Sequence, residues 1–205
     1  MKKTMLFVFI VLMLISCGRA HAKSISADFD VRTTLIGFTQ KQEDKLNAAS
    51  KLIRKIVRSK DFKEKVLNHT WEGKKTFAEN DGLTNEQVYK KILEGAEKMT
   101  DLGPNSTMDL EIELYTDLDS ITIGYTYPDI SKIYMNRKYY NKFRPFEVAD
   151  NMMHEWLHKI GFNHAVKPTP ERPFSVPYAV GYIVKGIARQ MHQEKLLKNL
   201  IAEQK

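Results

Sequence analysis

The residues with the most chemistry in them lie in one stretch, His154-Glu155-Trp156-Leu157-His158-Lys159-Ile160-Gly161-Phe162-Asn163-His164. Histidines four apart on a helix sit one above the other on the same face, so His154 and His158 can converge on one ion. Glu155 is rotated by about 100° from His154, which keeps it off the metal and within reach of a water bound there. His164 cannot join the other two if the helix runs on, because six further residues would carry it about 9 Å along the axis while zinc takes its nitrogens at about 2.0 to 2.1 Å. The helix must therefore stop, and Gly161 supplies the means: glycine enters the left-handed conformation that ends helices and reverses the chain. The stretch thus predicts zinc bound by His154, His158 and His164, with Glu155 as general base. Three neutral imidazoles leave a fourth position open, as in catalytic rather than structural sites.

The five positions His154, Glu155, His158, Gly161 and His164 resemble the signature of metzincin zinc endopeptidases, H-E-x-x-H-x-x-G-x-x-H. The resemblance implies a helix across the floor of a cleft and a small mixed sheet above it, whose edge strand pairs with an extended peptide. It also implies a methionine-containing turn beneath the metal and hydrolysis of peptide bonds. Residues Ile123 to Pro128, followed by Ile133-Tyr134-Met135-Asn136, look like the edge strand and the next strand of matrixin-type members. On that likeness Gly124, Tyr125 and Thr126 are the substrate-binding backbone, acting by strand addition. The chain departs from the pattern in one respect: no methionine lies between His164 and Met191, and Met191 falls inside the apolar repeat of the last helix. The tight turn is expected at Ser175-Val176-Pro177-Tyr178, with Tyr178 as a phenol near the metal that ligates it or donates to the oxyanion. A reading from another class is a zinc-binding surface lipoprotein that serves as a binding module without catalysis.

The elements that must position these residues follow from periodicity. Residues 28–36 alternate weakly, as an edge strand does. Leu46, Ala49, Ile53, Ile56 and Val57 recur at helical spacing between Gln40 and Arg58, and a shorter helix is expected from Asp61 to Leu67. A strand around Gly73 is expected from Thr70 to Phe77. Thr84-Asn85-Glu86-Gln87 has the form of a capping box, opening a helix that buries Val88, Ile92, Leu93 and Ala96. Met108, Leu110, Ile112 and Leu114 then alternate with acids, as on a half-buried strand. Further strands are expected at Ile121–Tyr127 and Lys132–Asn136, with a turn at Pro128-Asp129. The metal-binding helix runs from about Pro145 to Ile160, burying Val148, Met152, Trp156 and Ile160. A long amphipathic helix from Tyr178 to Ala202 follows. The fold class is α+β, zincin-like, with residues 23–205 forming a single domain.

At the N-terminus, Met1-Lys2-Lys3 and the apolar run Met5–Ile15 read as an export signal, too short at about eleven residues for a spanning helix. Two cleavage sites compete. Leu14-Ile15-Ser16-Cys17 has the form of a bacterial lipobox, with residues 1–16 removed and Cys17 lipidated and attached to a membrane; Ala20-His21-Ala22 fits an ordinary signal peptidase acting after residue 22. The protein is expected to be exported, as a surface or periplasmic lipoprotein or in soluble secreted form. Cys17 is the single cysteine, so no internal disulfide is available. The formal charge of +7 shrinks with the leader, which takes Lys2, Lys3 and Arg19 and no acid. The basic run from Lys51 to Lys65 reads as the wet side of an amphipathic helix, and no nucleic-acid partner is expected. The expected partner is a peptide or protein substrate.

Overall fold

The acid-alternating segment forms the central strand of the sheet. In the computed structural model, which describes residues 28–99, 103–127 and 129–203, that strand is β2, Thr107–Tyr115, and every second residue from Met108 to Leu114 is buried. β1 (Asp30–Ile36) pairs parallel with it on one side and β4 (Lys132–Asn136) parallel on the other; β3 (Gly124–Tyr125) adds antiparallel to β4, giving the order β1-β2-β4-β3. The register sets Ile112 opposite Ile133 and Leu114 opposite Met135. These residues share one apolar cluster with Leu46 and Ile53 of α1 (Gln40–Val57) and with Val148, Met152 and Trp156 of α5 (Pro145–Lys159). The other face of the sheet carries Glu111, Glu113 and Lys132, the last ion-paired with both acids, beside Tyr134 with Tyr125 stacked on it at 4.9 Å.

The long crossover from β1 to β2 contains α1, α2 (Lys60–Leu67) and α3 (Asn85–Glu94). Thr84 caps α3 as its sequence predicts: its hydroxyl accepts from Gln87 N at 3.3 Å while Gln87 Oε1 accepts from Thr84 N at 2.8 Å. After β4 come the short α4 (Arg137–Tyr140), α5, and α6 (Val176–Glu203). α5 opens on Pro145, and Glu147 accepts from the Arg144 amide at 2.9 Å to close its first turn. Asp150 of α5 and Lys185 of α6 join the two helices by an ion pair of 3.0 Å. The result is a mixed α+β arrangement with a four-stranded sheet and a long C-terminal helix among the described residues. No described helix is long and apolar enough to cross a membrane.

Four expectations need correction. The segment Thr70–Phe77 is no strand: Glu72 and Gly73 take φ of 48° and 74°, which reverses the chain so that Trp71 bridges Lys74. Ala96 lies beyond α3, because Gly95 ends the helix in the left-handed conformation. The strand expected at Ile121–Tyr127 shrinks to two residues; its flanks are held instead by Asn136 N donating to Ile123 O at 2.8 Å and Thr126 Oγ1 to Lys132 O at 2.7 Å. Ser175–Tyr178 is not a tight turn: a 3-10 turn at Arg172–Phe174 precedes it, and Val176, Pro177 and Tyr178 already form the first turn of α6. The leader, Cys17 and Pro128 lie outside the described residues.

Candidate metal centre

Two of the three imidazoles are delivered by α5 and the third by the reversal after it. Gly161 takes φ of 100°, and its N–H donates to His158 O at 3.0 Å while Phe162 N donates to Leu157 O at 3.0 Å, so the last carbonyls of α5 are satisfied as the chain turns back. Fully buried Phe162 anchors the reversal in the core. His164 then returns over the helix, and His154, His158 and His164 each offer a nitrogen within 4.8 Å of the other two. His164 Nε2 stands 3.2 Å from His154 Nε2. Two nitrogens each about 2.0 to 2.1 Å from a tetrahedral ion are about 3.3 to 3.4 Å apart, so this pair already has the spacing of ligands to one metal.

The outer ring nitrogens decide which way each imidazole faces. His158 Nδ1 lies 2.8 Å from Phe162 O and His164 Nδ1 3.0 Å from Ala165 O; His154 is hydrogen-bonded to the backbone of Pro177 at the start of α6. A carbonyl can only accept, so it fixes the proton on the outer nitrogen and leaves the inner lone pair for a cation. Burial pushes the basicity of all three rings down: His154 well below its usual value, His158 to about 4, and His164 also below. All three are neutral at pH 7, the form that ligates metal. The donor set therefore fits a metal ion.

Glu155, the residue after His154, is 4% exposed. Burial raises its pKa to about 8, against the pull of the Asn151 amide and the Lys159 charge. Both neighbours lie one helical turn away. Asn151 Nδ2 donates to Glu155 Oε1 at 3.4 Å. Lys159, buried at 4% exposure, donates from Nζ to the carbonyls of Tyr127 at 3.2 Å and of Ile130. It thereby ties the loop after the edge strand to the helix that carries His154 and His158, and burial lowers its own pKa.

Tyr178 is brought to the cluster. Its ring centroid lies 4.4 Å from that of His154 and 4.8 Å from that of His164. The approach depends on Gly181 one turn later along the packing face: a Cβ there would stand 2.7 Å from Asp150 Oδ1 and 3.7 Å from His154 Cβ, so a larger residue would push α6 off α5. Gly124 and Tyr125 form the edge strand, with no further strand beyond them among the described residues, and Gly124 lies against Asn151. Thr126 follows the strand, its hydroxyl engaged by Lys132 O. Met191, half-buried in α6, takes no part in the site.

Three further residues belong to this neighbourhood. Asn151 and Lys159 are legible in hindsight as positions four before and four after Glu155 on one helix. Arg172, whose guanidinium sits 5.0 Å from the Tyr178 ring centroid, carries no such local signal. No protein-family model, curated protein or solved structure matches this chain.

Proposed function

We propose that this chain is an exported zinc-dependent peptidase that resembles the metzincins, with zinc held by His154, His158 and His164 and Glu155 as the general base. The observation that carries the reading is the convergence of three neutral imidazoles whose outer nitrogens are held by backbone carbonyls, with a buried carboxylate on the next residue. Bound zinc would lower the pKa of a water toward 7 and polarise the scissile carbonyl. Glu155 accepts the proton of the attacking water and later passes it to the leaving amine. Burial makes the Glu155 carboxylate a stronger base than one in water. With a pKa of about 8 it holds its proton at pH 7 until the charge of a bound metal ion would draw that value down and free it to act. Tyr178 offers a hydroxyl toward the oxyanion. The Gly124–Thr126 backbone holds an extended peptide by strand addition along the β3 edge of the sheet. Zinc is the ion that three histidines and an open position favour.

The test is a peptide-library cleavage profile of the mature protein with zinc, run beside Glu155→Ala. The expected result is cleavage that falls by about a hundred- to ten-thousandfold in the variant with zinc content unchanged. Stoichiometric zinc binding with no cleavage across the library would replace this reading with that of a zinc-binding lipoprotein acting as a binding module.

A further inference from the structure

Arg172 is a cation placed beside a cation site. Its guanidinium covers the ring of Tyr178, which itself touches the rings of His154 and His164, and its charge is felt by both histidines and by Tyr182. The position is built, not incidental. Arg172 N donates to Thr169 Oγ1 at 3.2 Å, and Nη1 donates to Val166 O at 3.0 Å. The 3-10 turn that carries it is pinned by Ala78 N donating to Phe174 O at 3.0 Å and by Phe174 packed on Trp71 with centroids 4.5 Å apart. Among the described residues Val166 O is the one acceptor the side chain holds, Nε is buried without a hydrogen-bond partner, and no carboxylate pairs with the guanidinium.

A guanidinium carries five donors in a planar fork; with Nε buried and Nη1 donating to Val166 O, the remaining Nη donors are those a carboxylate would meet. Without a carboxylate partner of its own, it repels the ion those ligands would hold; Glu79 offsets part of that charge at His164, and an anion arriving between Arg172 and the ion would relieve the rest. Neutral peptide groups provide no such relief. We propose that Arg172 determines specificity by receiving a carboxylate of the substrate, so that the site prefers peptides bearing a carboxylate near the scissile bond. The carboxylate comes from an acidic side chain or from a free C-terminus, two sources of the same chemistry. This proposal rests on the peptidase reading for cleavage, but its binding component does not.

Three hexapeptides of one sequence test it: one neutral and amidated, one with a Gln replaced by Glu, and one with a free C-terminal carboxylate. Binding is measured by calorimetry to Glu155→Gln and to the double variant Glu155→Gln with Arg172→Gln, each with and without zinc; cleavage is measured with wild type, Arg172→Gln and Arg172→Lys. A charge-assisted hydrogen bond predicts a preference of about ten- to a hundredfold for at least one acidic peptide over the neutral one, falling to near unity with Arg172→Gln and partly kept with Arg172→Lys. Because the preference is a ratio within each variant, general damage to the fold does not mimic its loss. Which acidic peptide is preferred tells a side-chain carboxylate from a chain terminus. Cleavage of all three peptides without preference overturns the role of Arg172 while leaving the peptidase reading standing. Preferential binding that depends on Arg172, with no cleavage by wild type, keeps the role of Arg172 and removes the peptidase. A preference that survives Arg172→Gln also overturns the proposal.

Discussion

Asn151 touches two parts of the candidate site at once: its Nδ2 donates to Glu155 Oε1 at 3.4 Å, and its Oδ1 lies 3.0 Å from where a Cβ on Gly124 would stand. One side chain on α5 thus links the edge strand to the residue beside the first metal ligand. Asn151→Ala should leave zinc content unchanged and lower kcat about three- to tenfold, the size of one long hydrogen bond. Steady-state kinetics with metal analysis checks this. An unchanged kcat with a raised KM would mean that Asn151 serves the edge strand alone.

Gly161 holds φ of 100° where the chain turns back toward His164. An alanine there meets the side chain of Lys98, which can move aside, so backbone strain dominates, at about 1 to 2 kcal/mol. Gly161→Ala is expected to lower the melting temperature of the metal-free protein and, in addition, to weaken zinc binding, because His164 depends on the reversal. Gly161→Asn should cost less, since Asn tolerates the left-handed region. Equal stability and equal zinc affinity in all three proteins would show that the reversal does not need glycine.

Burial raises the pKa of Glu97 above its ordinary value of 4.5, although Trp156 Nε1 at 2.5 Å and Asp109 N at 2.9 Å donate to its carboxyl. Below 4.5 the group is protonated whether the chain is folded or not. As pH rises through the window between 4.5 and the raised folded value, the unfolded chain ionises first, so the folded state binds more protons and stability falls, by up to about 1.4 kcal/mol per pH unit. The contribution is complete below 4.5 and lost once pH passes the folded pKa. Urea unfolding of the metal-free protein across this window should show a fall that Glu97→Gln removes. An identical pH slope in the variant would rule out Glu97 as its source.

Tyr178→Phe keeps the ring against His154 and His164 and deletes only the hydroxyl. Zinc content and melting temperature should barely change, while kcat falls by about ten- to a thousandfold with little effect on KM, the cost of one oxyanion donor. A kcat within about twofold of wild type, less than about 0.5 kcal/mol, would make Tyr178 a packing residue at the head of α6.

The sequence by itself determined the features that depend on neighbours within a turn or two. Spacing of four set His154 and His158 on one face, Gly161 announced the stop before His164, the Thr84–Gln87 box opened α3, and the alternation from Met108 to Leu114 marked a strand. Such patterns are legible because helix and strand periods are fixed by backbone geometry. Only the tertiary structure decided the rest. Whether 121–127 is a strand depends on how much of it pairs with β4, and two residues do. Tyr178 reaches His154 because Gly181 lets α6 close on α5, and Arg172 reaches Tyr178 because a turn pinned to Ala78 carries it there. Contacts between segments far apart in the chain are set by which buried faces fit together, and no local period encodes that fit.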